Sequence, residues 1–181
     1  MVYYERNLPH WLPEGKNIFL TWRLYGSLPM IFLEQLHGDN SSEQGKKFLR
    51  LDRKLDGEGF GPVWLRDRQI ARIVVDSITS VAQQGWCIVN SFVVMPNHVH
   101  LMLEPKTELK LVTRAIKGSS ARTCNQLLNR TGLPFWQQES YDHWVRNPAS
   151  FEKIRLYIER NPVSAGLVKS PEDWEWSSAH K

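Results

Sequence analysis

Two histidines, His98 and His100, stand two residues apart at the start of the apolar residues 101–103. Side chains alternate between the two faces of a β-strand, so both imidazoles would point the same way and Val99 the other way. Two imidazoles on one rigid strand can hold a divalent metal ion if a third ligand comes from elsewhere in the chain. The pair therefore predicts a metal site, against the alternative that each histidine only satisfies ordinary hydrogen bonds.

A second group of polar side chains lies further along the chain, on a predicted helix. Asn147 and Pro148 are typical of a helix start, and Pro162 predicts the helix end. Tyr157 and Asn161 are one turn apart, at the flank of an apolar stripe. A phenol that could act as a nucleophile and an amide oxygen that could bind a metal would lie side by side. Both residues also have purely structural uses, at a core edge and before a proline.

Taken together, these motifs resemble those of the single-tyrosine HUH transposases, and within that superfamily the REP-associated tyrosine transposases. The resemblance needs a hydrophobic residue between two histidines on a strand, followed by a helix with Tyr-x-x-x-Asn that runs into Pro-Val. Either motif alone is weakly specific, and their occurrence in this order makes the likeness strong. The residues that carry it lie in the segments 92–101, 135–137, 139–147 and 157–163.

The resemblance implies an α+β fold, with a ferredoxin-like antiparallel sheet, helices packed on it and the HUH motif on a central strand. It implies that Tyr157 is the catalytic nucleophile and that His98, His100 and Asn161 bind Mg²⁺ or Mn²⁺. The implied reaction cuts single-stranded DNA beside a REP-like hairpin through a 5′-phosphotyrosine, which a second 3′-OH can resolve without ATP. It also favours a monomer over a homodimer.

Two other functions stay open on the sequence alone. A metal-dependent phosphoesterase would use His98 and His100 with water as the nucleophile, and it would not need Tyr157. A DNA-binding module that no longer cuts would keep the fold, but the complete set of candidate residues argues against it. Tyr141 and His143 form another tyrosine and histidine pair, which we interpret as packing or DNA-contact residues because no helical spacing ties them to an amide.

The net charge of +4 is modest for a nucleic-acid-binding protein, so the distribution of charge matters more than its sum. Residues 106–160 hold ten basic and five acidic residues, and the rest of the chain is slightly acidic. Lys110, Arg114 and Lys117 would form one stripe on a helix, which could follow phosphates near the active site or simply be a solvated face. The predicted DNA-binding residues are Lys110, Arg114, Lys117, Arg122, Trp136, Trp144 and Arg146.

Eight tryptophans are many for a chain of 181 residues. Trp22, Trp64 and Trp86 are expected in the core because their neighbours alternate with apolar residues. Trp136 and Trp144 stand beside polar and basic residues and could stack on unpaired bases. Such stacking is worth about 1–3 kcal/mol per base.

The length of 181 residues is typical of one domain, and with no convincing domain boundary we expect a single domain over residues 1–181. Residues 34–61 are polar and interrupted by glycine, and they are expected to form a partly helical excursion at the surface. Residues 170–181 are expected to form a C-terminal tail anchored by Trp174 and Trp176.

The sequence also bears on the compartment. No apolar segment approaches the roughly 18 residues of a membrane span, and residues 1–15 lack the apolar block of a signal peptide. Cys87 and Cys124 show no spacing typical of a disulfide framework. We therefore expect a cytoplasmic protein without a membrane partner.

Overall fold

A computed structural model describes residues 16–32, 44–57, 60–138 and 140–180. Its strands are β1 (Ile18–Arg23), β2 (Cys87–Val94), β3 (His98–Pro105) and β4 (Tyr141–Trp144). Its helices are α1 (Gln44–Asp56), α2 (Arg68–Gln83), α3 (Leu109–Leu127) and α4 (Pro148–Ser164), with 3₁₀ turns at Trp64–Arg66 and Pro171–Asp173. The strands form one antiparallel sheet in the order β2-β3-β1-β4. The predicted α+β fold and the central position of the histidine strand are confirmed.

Helices cover both faces of this sheet. Along β1, Ile18, Leu20 and Trp22 pack with α2 and α3 on one face. Phe19 packs on the opposite face, where α1 contributes Phe48 and α4 its apolar stripe. Since both faces are covered, all six residues of β1 are buried.

The residues 34–61, expected at the surface, contain a helix that belongs to the core. In α1, Phe48, Asp52 and Leu55 are buried, and the Phe48 ring meets Phe19 edge-on with centroids 5.4 Å apart. The helical part of the prediction is confirmed, but α1 is at the surface on one side only, because its other side packs on the sheet. Charged residues dominate the composition, but only every third or fourth residue faces the sheet, and those residues are buried. The part of the excursion before α1 lies outside the described residues.

The predicted start of α4 is confirmed and its predicted end is wrong. The Asn147 side chain accepts a hydrogen bond from the Ser150 backbone N–H, as an N-cap does. The helix then continues through Pro162 to Ser164. A proline so close to the end removes a single N–H donor, and the Ala165 N–H still closes the last turn on the Asn161 carbonyl.

The C-terminal tail extends the sheet beside β2, where Ser177 bridges Val93. Trp176 is buried, and the Trp174 indole N–H donates to the Val94 carbonyl at 3.0 Å. The predicted anchoring of the tail is confirmed. Trp86, by contrast, is 36% exposed, so its predicted core position is wrong. It lies in the turn between α2 and β2, before the strand enters the covered part of the sheet.

None of the described helices is long and apolar enough to cross a membrane. The expectation for residues 1–15 lies outside the described residues. Cys87 and Cys124 are both buried and free.

Candidate active site

The two histidines of β3 lie on the face of the sheet that α1 and α4 cover, and both are fully buried. Their Nε2 atoms are 3.1 Å apart. His98 Nδ1 lies 2.7 Å from Asn97 Oδ1, and His100 Nδ1 lies 2.7 Å from Thr21 Oγ1. Each ring therefore uses Nδ1 in a supporting hydrogen bond and turns Nε2 toward the other.

Asn97 determines the tautomer of the neutral His98 ring. Its amide nitrogen donates to the Leu55 carbonyl at 2.8 Å, so its oxygen faces the imidazole and can only accept. The hydrogen of the neutral ring must then sit on Nδ1, an assignment made from this network, and Nε2 keeps its lone pair. Burial, and then the neighbouring His100, lower the pKa of His98 to about 3. His98 is thus neutral at physiological pH, in the form that binds metals.

A carboxylate that the sequence analysis missed completes the cluster. Asp52 projects from α1, and its Oδ1 lies 3.2 Å from His100 Nε2 and 3.6 Å from His98 Nε2. Neighbouring ligands around an octahedral Mg²⁺ are separated by about 3 Å, close to the sides of this triangle. The donor types and spacing are those of a metal site.

Two buried oxygens around this triangle have no hydrogen bond within the described part of the chain. Asp56 Oδ1 and Asn161 Oδ1 accept none from any residue that the structure describes, whereas Asp52 Oδ1 faces the two imidazoles. A buried oxygen without a partner costs about 1–3 kcal/mol, so it is stabilised by any cation that binds beside it. The residues present therefore fit a hard divalent cation.

The surroundings shift the pKa values of the two carboxylates of α1 in opposite directions. Burial by itself would raise the pKa of Asp52, but the neighbouring His100 and His98, together with hydrogen bonds, hold it below its usual range. Burial and then the charge of Asp52 raise the pKa of Asp56 to about 7. Asp52 is therefore ionised at neutral pH, whereas Asp56 can still hold a proton.

Tyr157 and Asn161 reach the same carboxylate from α4. The Tyr157 hydroxyl donates to Asp52 Oδ2, and Asn161 Nδ2 lies 3.4 Å from that oxygen. Burial, followed by the charge of Asp52, raises the pKa of Tyr157 well above its usual range. The Tyr157 ring also meets the His100 ring edge-on, with centroids 5.6 Å apart. The structure thus brings the predicted phenol, amide and imidazoles together around Asp52.

Asp52 carries little signal in the sequence. It stands among lysines and arginines, where an aspartate is typical of exposed helical ion pairs. The available signal was the spacing of Phe48, Asp52 and Leu55 at i, i+4 and i+7, which places a carboxylate on the apolar face of a helix.

The basic stripe of α3 lies on the other side of the sheet. α3 packs with α2 on the face opposite to the histidines. Lys117 Nζ donates to the backbone carbonyls of Gln137 and Gln138, at 2.9 and 3.3 Å. The expectation that Lys110, Arg114 and Lys117 follow phosphates near the active site is therefore wrong. Contact of these residues with DNA elsewhere stays a prediction.

Three further residues of the predicted DNA-binding set are exposed, namely Arg122, Trp144 and Arg146. Trp144 lies on the edge strand β4 and is 39% exposed. Burial, and then the charge of Arg146, lower the pKa of His143. Tyr141 packs against aromatic rings of α1 and β1, as one of its two predicted roles requires. Their DNA contacts stay a prediction.

Trp136 is a core residue. It is 8% exposed, its indole N–H donates to Ser120 Oγ at 3.0 Å, and its ring meets Trp22 and Phe135 edge-on. Its predicted stacking on DNA bases is wrong, because the ring is already enclosed between β1 and α3.

We expect Trp136→Ala to lower the free energy of unfolding by about 3–5 kcal/mol, since it removes a buried indole and its hydrogen bond. Trp144→Ala is the matched control, and it should cost about 1 kcal/mol or less because its ring is on the surface. Urea denaturation measures both values. Equal stabilities of the two variants would contradict the core position of Trp136.

Known proteins resemble this chain in sequence and in fold. A family model described as "Transposase IS200 like" matches residues 64–161, more than half of the chain. The chain belongs to this family of IS200-like transposases. The matched segment contains His98, His100, Tyr157 and Asn161, and it excludes Asp52.

Individual proteins that are similar to this chain are also described as transposases. The chain is similar to the REP-associated tyrosine transposase of Escherichia coli strain K12, with 31% identity over 96 residues, covering 51% of this chain and 54% of the relative. It thus spans about half the length of that relative. A solved structure of a REP-associated tyrosine transposase bound to a REP hairpin shares the fold, with a TM-score of 0.59, 23% identity and coverage of 99% of this chain and 84% of the other.

Proposed function

We propose that this chain is a metal-dependent endonuclease and strand transferase for single-stranded DNA, acting through a 5′-phosphotyrosine beside REP-like hairpins. The observation that carries the proposal is the meeting of the Tyr157 hydroxyl, two imidazoles and the Asp52 carboxylate in one buried cluster. Membership of the transposase family supports an action on DNA. The hairpin is supported by what the structural relative binds.

His98, His100 and Asn161 would hold Mg²⁺ or Mn²⁺, with Asp52 as an additional ligand. The lone pair on His98 Nε2, the Asp52 oxygen that faces both imidazoles and the Asn161 oxygen that accepts no hydrogen bond from the described residues are donors that these ions accept. The bound cation would polarise a phosphate oxygen and offset the negative charge of Asp52 beside the phenol.

The side chains of this cluster account for the cleavage step. The Tyr157 oxygen attacks phosphorus, a new O–P bond forms, and the bond from phosphorus to the 3′ oxygen breaks. The phenol becomes more acidic as the new bond forms, and its proton moves to Asp52 Oδ2, which already accepts its hydrogen bond. The leaving 3′ oxygen takes up a proton from solvent and becomes a free 3′-OH. Because the phosphotyrosine conserves the phosphoryl linkage, a second 3′-OH can attack it and join two strands without ATP.

We also propose that one chain forms a complete active site. The cluster takes Asp52 from α1, its histidines from β3 and its tyrosine from α4 of the same chain. A monomer therefore holds every group that the cleavage step requires.

Asn161 can be tested apart from the other ligands. We expect Asn161→Ala to raise the Mg²⁺ concentration for half-maximal cleavage by about 10-fold or more, because its buried oxygen would lose its role as a ligand. A purely structural asparagine would instead cost about 1 kcal/mol of stability without changing the metal requirement. Mg²⁺ titration of cleavage and thermal melting on the same preparation distinguish these outcomes. Asn147→Ala is the control, since it removes the N-cap of the same helix and leaves the cluster intact.

The proposal as a whole is tested with a labelled single-stranded oligonucleotide that carries a hairpin beside the cleavage site. Incubation with Mg²⁺ should transfer a label on the 3′ side of the break to the protein and release the fragment on the 5′ side, which ends in 3′-OH. Cleavage without a protein-bound fragment would mean that water attacks and that the protein is a phosphoesterase.

A further inference from the structure

The outer side of α1 carries a strongly basic surface. Its 13 residues include five cations and two carboxylates. At about 100° per residue, the five cations fall within an arc of about 120° on the side opposite to the buried residues. We call this surface the α1 basic face, and it consists of Lys46, Lys47, Arg50, Arg53 and Lys54.

The fold separates charges that the sequence mixes. Asp52 is buried, and the Asp56 side chain is only 19% exposed, with both carboxylates turned toward the histidines. Neither carboxylate shares the outer side of the helix with the five cations. A sum of charges along the chain therefore underestimates the positive potential on this side of α1.

The α1 basic face is next to the proposed nucleophile. Asp52, whose carboxylate accepts the hydrogen bond of Tyr157, is the immediate neighbour of Arg53 in the chain. The α1 basic face therefore begins one residue away from the carboxylate that contacts the phenol.

The basic stripe of α3, formed by Lys110, Arg114 and Lys117, does not lie on the side of the sheet that holds Tyr157. α3 covers the face of the sheet opposite to the histidines, whereas α1 shares the face and the cluster with Tyr157. A strand whose scissile phosphate lies at Tyr157 must run past the elements on that face. The α1 basic face is complementary in charge to its phosphates.

Resting on the proposed function, we propose that the α1 basic face binds the backbone of the single-stranded DNA that enters the active site. In this arrangement Arg53 contacts the phosphate nearest to Tyr157, and the other four cations contact phosphates further along the strand. One helix would then both guide the substrate and supply Asp52 to the cluster.

The test replaces three cations and keeps Arg53 and Asp52 in place, as Lys47→Gln/Arg50→Gln/Lys54→Gln. A Tyr157→Phe background prevents cleavage while the binding of a fluorescent oligothymidine is followed by anisotropy at several NaCl concentrations. Each phosphate contact on a single strand contributes about 0.7 to the slope of log affinity against log salt, so the slope should fall by about 2. At low salt the affinity should fall by at least about tenfold.

Two control variants keep the result specific. Lys47→Arg/Arg50→Lys/Lys54→Arg preserves the charge and should bind like its parent. Arg66→Gln/Arg68→Gln/Lys169→Gln removes the same charge from exposed positions on other elements and should keep the parent slope. An unchanged slope in the α1 triple variant, or an equal loss in both glutamine variants, would overturn the proposal.

The same proteins are then tested on phosphatidylglycerol vesicles. If the parent binds these vesicles more tightly than the oligonucleotide and the α1 triple variant loses that binding, the face serves an anionic lipid surface and the proposal is overturned. Failure of the proposed function would look different, since wild-type protein would bind the strand with the expected salt dependence and form no covalent adduct.

Discussion

Tyr157→Phe should abolish DNA cleavage and covalent attachment while leaving the fold and the DNA affinity nearly unchanged. The substitution removes one hydroxyl, and the ring keeps its edge-on contacts with Phe19, Phe48 and His100. Without the phenol oxygen there is no nucleophile, so the cleavage rate should fall by at least about three orders of magnitude. The lost hydrogen bond to Asp52 should cost about 1 kcal/mol of stability. Single-turnover cleavage on a denaturing gel and thermal melting measure the two effects.

Tyr141→Phe is the matched control for this experiment. Tyr141 stacks on Phe48 with ring centroids 4.4 Å apart, and that stacking does not need its hydroxyl. This variant should retain most of the activity. Cleavage at the wild-type rate by Tyr157→Phe would show that water or another tyrosine attacks the phosphate.

The second large effect is expected at the imidazoles. His98→Ala and His100→Ala should each lose metal-dependent cleavage and still bind the DNA hairpin, because we expect the affinity for DNA to come from basic and aromatic groups elsewhere. Each substitution removes one of two Nε2 donors that lie 3.1 Å apart and leaves the Asp52 carboxylate with one neighbouring ring instead of two. Calorimetric titration with Mn²⁺ should show little or no binding in either variant.

A histidine outside the cluster provides the control for the metal titration. His143→Ala removes a partly buried imidazole from β4 and should bind Mn²⁺ like wild type. Asp52→Asn measures how much the carboxylate contributes to Mn²⁺ binding, and the Mn²⁺ affinity of this variant should fall by about 10–100-fold. Wild-type Mn²⁺ affinity in both His98→Ala and His100→Ala would exclude these histidines as ligands.

Parts of this site could be predicted because they depend on local periodicity. The two-residue period of a strand places His98 and His100 on one face, whatever packs against it. The helical period likewise places Tyr157 and Asn161 on one side of α4. These relations hold within one helix or strand, so a short sequence motif is enough to predict them.

Other parts of the site depend on how the helices and strands pack against each other, which no local sequence pattern predicts. Asp52 points inward because Phe48 and Leu55 seat α1 on the sheet, and the same docking turns five cations outward. Trp136 has polar neighbours in the chain, but α3 supplies Ser120 to its indole and encloses its ring. The α3 stripe looked suited to the active site because its spacing is regular. Only the layer order of the fold places it on the far face.

The most direct test of the central claim is mass spectrometry of wild-type protein after incubation with a single-stranded hairpin substrate and Mg²⁺ or Mn²⁺. The predicted result is a proteolytic peptide in which Tyr157 carries the 5′-phosphorylated DNA fragment, together with a released strand that a polymerase can extend from its 3′-OH. Cut DNA with a free 5′-phosphate and an unmodified Tyr157 peptide, or a DNA adduct on a different residue, would contradict it.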